Sequence, residues 1–439
     1  MRSQIRNIVI ECPDPEALSA FYAELLDMYT LRKPPDWTVI GRDGELPRLA
    51  FDRADDYRPP RWLDPDHPRQ LHLDVTVPDR AAAERWLSGS GATRLPEDIG
   101  AGRHVWADPA GHPFGLREDP SHPPRIESVV LDSADHVALA SFYARLLDLP
   151  KVGQESDDWT TIGTSEGPRL RFARVAVHRQ PRWPDPAYPQ QMHLDLQFDA
   201  QDAATERAER LGASRLPAMG GDAPVYADPA GHPFCVCPMY TPIIQQMFLD
   251  AWTPWLATLD SIDPAATRSP GVCGDWTIHD VVGHVQANAR FRLAHLRGAF
   301  TGRAPTQEEV DGERAPWPDG VGYTADARNA AIRDAGVGLS WQQLLDEAAW
   351  IRDQTVEWLE QLDERLLDVN VGWVEFWEPP FRDDPNTIED LMVRRTRELP
   401  SAKDPLPVWR FVQPDEPDNH LTEHLDQIHA WLVTSGDTA

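Results

Sequence analysis

An internal repeat constrains this chain more than any other feature. The segment PRWLDPDHPRQLHLDVTV, from Pro60, returns from Pro181 as PRWPDPAYPQQMHLDLQF, which sets His72 against His193 at an offset of 121 residues. SAFYAELLD from Ser19 returns as ASFYARLLD from Ala140 at the same offset. Asp36-Trp37-Thr38 returns as Asp158-Trp159-Thr160, and DPAGHPF from Asp108 returns unchanged from Asp228. Agreement of this extent implies a duplicated domain. The first copy covers 1–119, the linker EDPSHPPR follows, the second copy covers 126–238, and a different kind of sequence fills 240–439.

Within a copy the pattern is strand, helix, then several strands. IRNIVIEC has the β-branched content of a buried strand. Pro15 opens a helix whose apolar positions Leu18, Phe21, Tyr22 and Leu25 follow helical spacing. WTVIG, LPRLAFDRA and LHLDVTV read as strands, DRAAAERWLSGSGA as a second helix closed by glycines, and HVWADPAGHPFGL as a hairpin turning at Pro109 to Gly111. The second copy departs with Ser133-Ala134-Asp135 where the first has Pro13-Asp14-Pro15. Each copy thus reads as a pair of βαβββ units, an α+β arrangement. After Pro238 the alternation gives way to helical spacing, with Ile244, Phe248, Trp252 and Trp255 on one face. Further helices are expected from Ile278 with Thr277 as cap, from Ser340 as cap, from Asn386 and from Asn419. This all-α part reads as a four-helix bundle with an added helix, and eleven of the 17 tryptophans lie in it, most of them expected as core.

Charge narrows the partners. The chain carries 71 acidic against 42 basic residues, a formal charge of −29, so it repels phosphate backbones and nucleic acid is not an expected partner. Its apolar runs fall far short of the ~20 residues of a membrane helix, so no membrane is expected either. The opening MRSQIRNIVIECPDP lacks an apolar signal region, and four cysteines do not make a disulfide scaffold, which points to the cytoplasm.

Histidine placement carries the chemical signal. His420 and His424, four apart on one expected helix, share a face and can share a metal; a solvated pair is the plainer alternative. His284 follows Asp280 by four residues and could approach from a facing helix. Three histidines with an open fourth position make a catalytic type of metal site. His279 and His429 do not fit that triad, Glu423 points away from it, and Cys273 reads as a buried small hydrophobe. In the repeat, His72 and His193 each sit on a strand near an Asp, where a structural hydrogen bond and ligand contact are both open. Trp62 and Trp183 in the PRWxDP loops could line a pocket or pin the loop. Cys235 and Cys237 share a strand face and read as buried thiols. His112 and His232 read as turn residues.

The DP-opened helix ending FYxxLLD, the HLD strand and the DPAGHPF hairpin resemble the vicinal oxygen chelate superfamily, the glyoxalase/bleomycin-resistance fold. That resemblance implies a metal site built from three strand positions, which here carry Asn7, His72 and Gly115 in the first copy and Ser128, His193 and Cys235 in the second. Only the middle histidine survives in each, and one imidazole does not hold a divalent ion, so metal-free cups are expected, with Glu11 or Asp132 as the substitutes to consider. The resemblance also implies that the two copies pair within the chain, as a covalent counterpart of the family's homodimer. GVCGDWTIHDVVGHV and NHLTEHLDQIHAWL resemble the DinB superfamily, including its mycothiol-dependent maleylpyruvate isomerase-like members and its ClbS/DfsB-like branch. There the D-W-T-x-x-D-x-x-x-H helix carries the first metal histidine, so His284, His420 and His424 are the implied ligands.

The leading expectation is an enzyme that uses a divalent transition metal (Zn, Ni or Fe) at His284, His420 and His424 to activate water, or a low-molecular-weight thiol, against an electrophilic small molecule. The tandem cups then bind substrate or serve as scaffold, in a monomer or homodimer. The rival expectation is a resistance-type protein that sequesters a small molecule in the cups without turnover. A fusion with neither site active is the third.

Overall fold

The two copies of the repeat exchange strands. A computed structural model describes residues 1–32, 36–42, 44–61, 70–96, 104–152, 156–164, 167–181, 185, 191–217, 223–301, 305–315, 325–367, 370–371, 406–407 and 420–435. The chain falls into two units, Met1–Met239 and Tyr240–Ala439. In the first, copy one supplies β1 (Ser3–Cys12), α1 (Pro15–Leu26), β2 (Tyr29–Arg32), β3 (Trp37–Gly41) and β4 (Arg48–Arg53), then β5 (Leu71–Val77), α2 (Arg80–Leu87), β6 (Thr93–Arg94), β7 (His104–Ala107) and β8 (Pro113–Glu118). Copy two supplies β9 (Arg125–Ser133), α3 (His136–Leu147), β10 (Trp159–Ile162) and β11 (Arg169–Arg174), then β12 (Met192–Phe198), α4 (Gln201–Arg210), β13 (Ser214–Arg215), β14 (Val225–Ala227) and β15 (Pro233–Pro238). These strands make an eight-stranded sheet, β13-β14-β15-β12-β1-β4-β3-β2, and a seven-stranded sheet, β10-β11-β9-β5-β8-β7-β6. Each sheet joins the first half of one copy to the second half of the other. The seams are antiparallel: Ile8 lies opposite Leu194 between β1 and β12, and Leu73 opposite Val129 between β5 and β9.

Local sequence explains the elements. Asp14 caps α1 by accepting from the Ala17 N–H, Pro15 fills the position whose N–H is unneeded, and Asp27 closes the helix at φ 52°. Copy two repeats this with Asp135 accepting from Ala138 and Asp148 at φ 55°. The caps therefore align as Asp14 with Asp135, and the departure between copies becomes Ala134 in place of Pro13 and His136 in place of Pro15. On β1 the period of two sends Ile8, Ile10 and Cys12 into a fully buried core beneath Leu18, Tyr22 and Leu25 of α1, and sends Asn7, Val9 and Glu11 to the other face. One continuous core holds both copies.

The DPAGHPF hairpins do more than turn. Asp108 accepts from the Ala110 and His112 backbone N–H groups, both at 2.9 Å, from Tyr22 Oη at 3.0 Å and from His112 Nδ1 at 2.9 Å. Asp228 repeats the set with Ala230 N (2.8 Å), His232 N (3.0 Å), Tyr143 Oη (3.0 Å) and His232 Nδ1 (3.0 Å). His112 and His232, read from sequence as turn residues, are buried anchors that tie hairpin to helix.

The second unit is helical: α5 (Tyr240–Ser261), α6 (Ile278–Thr301), α7 (Gln307–Asp311), α8 (Ala325–Gly336), α9 (Trp341–Gln361) and α10 (His420–Ser435), with a small hairpin, Pro270–Cys273 and Trp276–Thr277, before α6. Ile244, Phe248, Trp252, Trp255 and Leu259 of α5 pack with Leu344, Ala348 and Ile351 of α9 and with Ile278, Val281 and Val285 of α6. Thr277 caps α6 through Asp280, whose backbone N–H donates to Thr277 Oγ1 at 3.1 Å, and Ser340 forms a capping box with Gln343. The helix expected from Asn386 lies outside the described residues. The short helices α7 and α8 were not apparent in the sequence. No described helix is long and apolar enough to cross a membrane.

Candidate functional site

Each sheet presents one polar face, and strand exchange decides which residues meet there. On the eight-stranded sheet β12 lies between β1 and β15, with Asp195 opposite Asn7 on one side and Cys235 on the other. His193, two residues along β12, shares the face of Asp195. This is the first cup. Its imidazole approaches Asp195 Oδ1 through Nε2 at 3.5 Å and Glu11 Oε1 through Nδ1 at 3.5 Å. Asn7 Nδ2 donates to Asp195 Oδ2 at 2.8 Å. Single ligand atoms of His193, Asp195 and Cys235 all lie within 4.8 Å of one another. Asp52 stands beside Glu11 on the neighbouring strand β4. An apolar floor of Val9, Leu31, Val39 and Ala50 completes the face.

The second cup lies on the seven-stranded sheet, where His72, Asp74, Ser128 and Gly115 occupy the equivalent places. The sequence grouping of Asn7 with His72 and Gly115, and of Ser128 with His193 and Cys235, is therefore corrected: Asn7 meets His193 and Cys235, and Ser128 meets His72 and Gly115. The cause is the pairing of β1 with β12 and of β9 with β5. The expectation of a solitary imidazole is corrected for the first cup. In the first cup His193 has Asp195 and Cys235 as neighbours with donor atoms, a convergence signalled by the i, i+2 spacing in the HLD strand. Asp195 was absent from the sequence-derived candidates. Cys237 sits two residues on from Cys235 and is buried.

Electrostatics in the first cup follow from burial and pairing. Burial opposes charge on His193, yet Cys235, Asp195 and Glu11 hold its imidazole well above the ordinary value. Burial also opposes charge on Asp195, but His193 and Asn7 hold it below the usual carboxylate range. Burial pushes the Cys235 thiol up, and His193 offsets only part of that. Burial and the adjacent Glu11 push Asp52 up to about 6.

In the helical unit, α6 and α10 bring His284 and His424 together, with ring centroids 5.4 Å apart and planes at 80°. His284 is buried, with the Trp276 ring edge-on at 5.4 Å and Asn288 Nδ2 donating to its backbone carbonyl at 3.0 Å. His424 Nδ1 lies 2.8 Å from Gln427 Oε1; with that nitrogen as donor, the lone pair falls on Nε2. The backbone of His420 begins α10, while its side chain, like Trp62 and Trp183, lies outside the described residues. His279 is buried with Nε2 donating to the Leu339 carbonyl at 2.9 Å, and His429 reaches Thr258 at 2.9 Å; neither joins the pair. Glu423 is exposed. A separate cavity of about 490 Å³, lined by Arg290, Arg297, Glu309, Glu347 and Trp350 among others, contains none of these histidines.

Paired sheets with inward polar faces built from βαβββ halves define a class of small cup-bearing domains. Residues 7–117 and 128–237 each match the family described as a glyoxalase-like domain, and together they make up about half of the chain. The chain belongs to this glyoxalase-like family. Among solved structures it is similar to glyoxalase I from Zea mays, at 15% identity over 53% of this chain and 91% of that one with a TM-score of 0.41. It is also similar to a putative dioxygenase from Bacillus subtilis subsp. subtilis str. 168, at 15% identity over 53% of this chain and 84% of that one with a TM-score of 0.40. The cppA protein from Streptococcus pneumoniae TIGR4 is similar at 13% identity over 54% of this chain and 98% of that one, with a TM-score of 0.31. No curated protein matches the chain.

Proposed function

We propose that this protein is a metal-dependent enzyme acting on a reactive or electrophilic small molecule, with its centre in the first cup. The observation that carries this reading is the convergence of His193, Asp195 and Cys235 within 4.8 Å. Ligand bonds of about 2.0–2.3 Å set tetrahedral donors about 3.3–3.8 Å apart, so a contraction of roughly 1 Å would fit the trio to a transition ion. A nitrogen, an oxygen and a sulfur donor together suit zinc or its neighbours better than calcium or magnesium. When bound, such an ion supplies Lewis-acid polarisation of a substrate oxygen. The chain's own groups supply the rest. Glu11, 3.5 Å from His193 Nδ1, is placed to take or return a proton. Asp52 beside it holds a proton up to about pH 6, which keeps two carboxylates from being charged together in acid. Val9, Val39 and Ala50 orient the apolar part of a ligand and exclude water.

The test is metal content by mass spectrometry on full-length protein purified without chelator or affinity metal. Near one equivalent of transition metal in the parent, lost in His193→Gln and Cys235→Ser and kept in His424→Ala, supports the first cup. Absence of metal from the parent overturns the reading and favours the rival, in which the cups sequester a small molecule; a stoichiometric ligand without turnover would then be the finding to seek.

A second reading is favoured by the 5.4 Å approach of His284 and His424, 140 residues apart in sequence. In it the helical unit, which resembles the DinB superfamily, holds the ion through His284, His424 and His420 and activates water or a low-molecular-weight thiol. Metal lost in His284→Ala and His424→Ala, but kept in Cys235→Ser, would support it.

A further inference from the structure

The repeat provides an internal comparison, because positions of one cup have counterparts 120 to 122 residues away. Several counterparts differ in kind, among them Asp52, whose place Ala173 takes, and Val39, whose place Thr161 takes; three bear directly on the donors around Asp195 and Asp74. Cys235 of the first cup is replaced by Gly115 in the second, which removes a donor. Asn7, which gives Asp195 a neutral amide at 2.8 Å, is replaced by Ser128, whose hydroxyl reaches Asp74 Oδ2 at 3.1 Å. Ala50, buried in the first cup's floor, is replaced by Arg171. Arg171 Nη1 lies 3.2 Å from Asp74 Oδ2, and its guanidinium sits 5.9 Å from the centroid of the Trp159 ring. The Asp74 side chain is only 3% exposed. A carboxylate so buried needs a cation or several donors to stay charged. The second cup carries its cation covalently, and a guanidinium does not lose its proton at any ordinary pH. Both cups set an imidazole near the carboxylate, His193 at 3.5 Å from Asp195 and His72 at 4.0 Å from Asp74, but the first cup adds only the Asn7 amide and has alanine where the arginine stands.

We infer that only the first cup takes a divalent cation and that Arg171 is a built-in cation standing in its place in the second, so that the glyoxalase-like pair is functionally one-sided. This rests on the metal reading of the first cup, and the experiment separates the two. Cobalt(II) is titrated into the full chain, and the near-ultraviolet thiolate-to-cobalt band is followed; Cys235→Ser identifies its source. The parent is expected to show one thiolate-bound cobalt per chain. Gly115→Cys alone restores a thiol but not the vacancy and is expected to leave the count at one. Gly115→Cys with Arg171→Ala is expected to raise it to two. A count of two in Gly115→Cys alone, or of one in the double variant with parental circular dichroism, would overturn the role of Arg171 while leaving the first cup's reading intact. A parent without the band overturns both. Should the double variant fail to fold, Ala50→Arg tests the same idea in reverse: Trp37 stands where Trp159 does, ready to support the transplanted guanidinium beside Asp195. That variant is expected to lose the band, and its retention in a folded protein would overturn the inference.

Discussion

Removing Asp108 or Asp228 tests how the paired domains are held together. The carboxylate of each is wholly buried and accepts four hydrogen bonds, from a tyrosine hydroxyl, a histidine ring and two backbone N–H groups. Replacement by alanine strands four donors away from water. A buried donor left unsatisfied costs about 1–3 kcal/mol, and a histidine deprived of its carboxylate resembles one half of a broken buried pair, at about 3–5 kcal/mol. Relaxation and water entry recover part of the sum, so about 3–5 kcal/mol is the expected loss for each variant. For a unit of this size that corresponds to a fall in Tm of roughly 6–20 °C, read by scanning calorimetry of the full chain. Because the two networks are copies, Asp108→Ala and Asp228→Ala should fall by similar amounts. A Tm within about 2 °C of the parent in either variant would refute the claim that these hairpins anchor helices α1 and α3, since ordinary surface changes cost that little.

Three further outcomes are expected. Burial opposes charge on His232, but Asp228 raises it above its ordinary value; the pair's stabilisation is therefore fully present below about pH 6.5 and is lost as pH climbs through the raised value. Chemical denaturation should accordingly show the gap between parent and Asp228→Asn narrowing above neutrality. Glu347 accepts from Arg290 Nε at 3.0 Å and Arg314 Nη2 at 2.7 Å with Arg314 almost fully buried, so Glu347→Gln should cost about 3–5 kcal/mol in urea unfolding of the helical unit. Glu364 accepts from the Tyr240 and Thr241 N–H groups at 2.6 and 2.9 Å, donors at the start of α5 with no acceptor one turn back in the helix, so Glu364→Ala should cost about 1–2 kcal/mol in the same assay.

Much of the architecture was legible in the sequence because it is local or repeated. The helix start at Pro15, the caps at Ser340 and Thr277, the strand alternation in LHLDVTV and the break after Pro238 are all short-range signals. The duplication was plain at an offset of 121. Which half pairs with which is another matter: nothing in the alternation of β1 says whether it will lie against β5 or β12, and both partners carry the same HLD core. Asn7 was therefore grouped with the wrong histidine. Asp195 escaped notice because its identity as a site residue depends on Cys235 across one strand and His193 along another. Arg171 gave no signal at all, since an arginine on a strand becomes informative only when Asp74 is seen opposite it. His284 and His424 came from motif spacing, and α6 and α10 bring their rings together.

The exchange of halves also sets an order of events during synthesis. The seam of the seven-stranded sheet joins residues such as Asp74 and Ser128, 54 apart, whereas that of the eight-stranded sheet joins Asn7 to Asp195, 188 apart. At about 5–20 residues per second, roughly 10–40 s separate the emergence of β1 from that of its partner β12. For the later part of that interval β1 to β4 carry an open seam edge in a nascent chain that also contains β5, a strand of almost identical pattern on which β1 must not settle. Because β9 is made before β12, β5 has its own partner available first, and closure of that shorter seam would remove the decoy before the longer one can form.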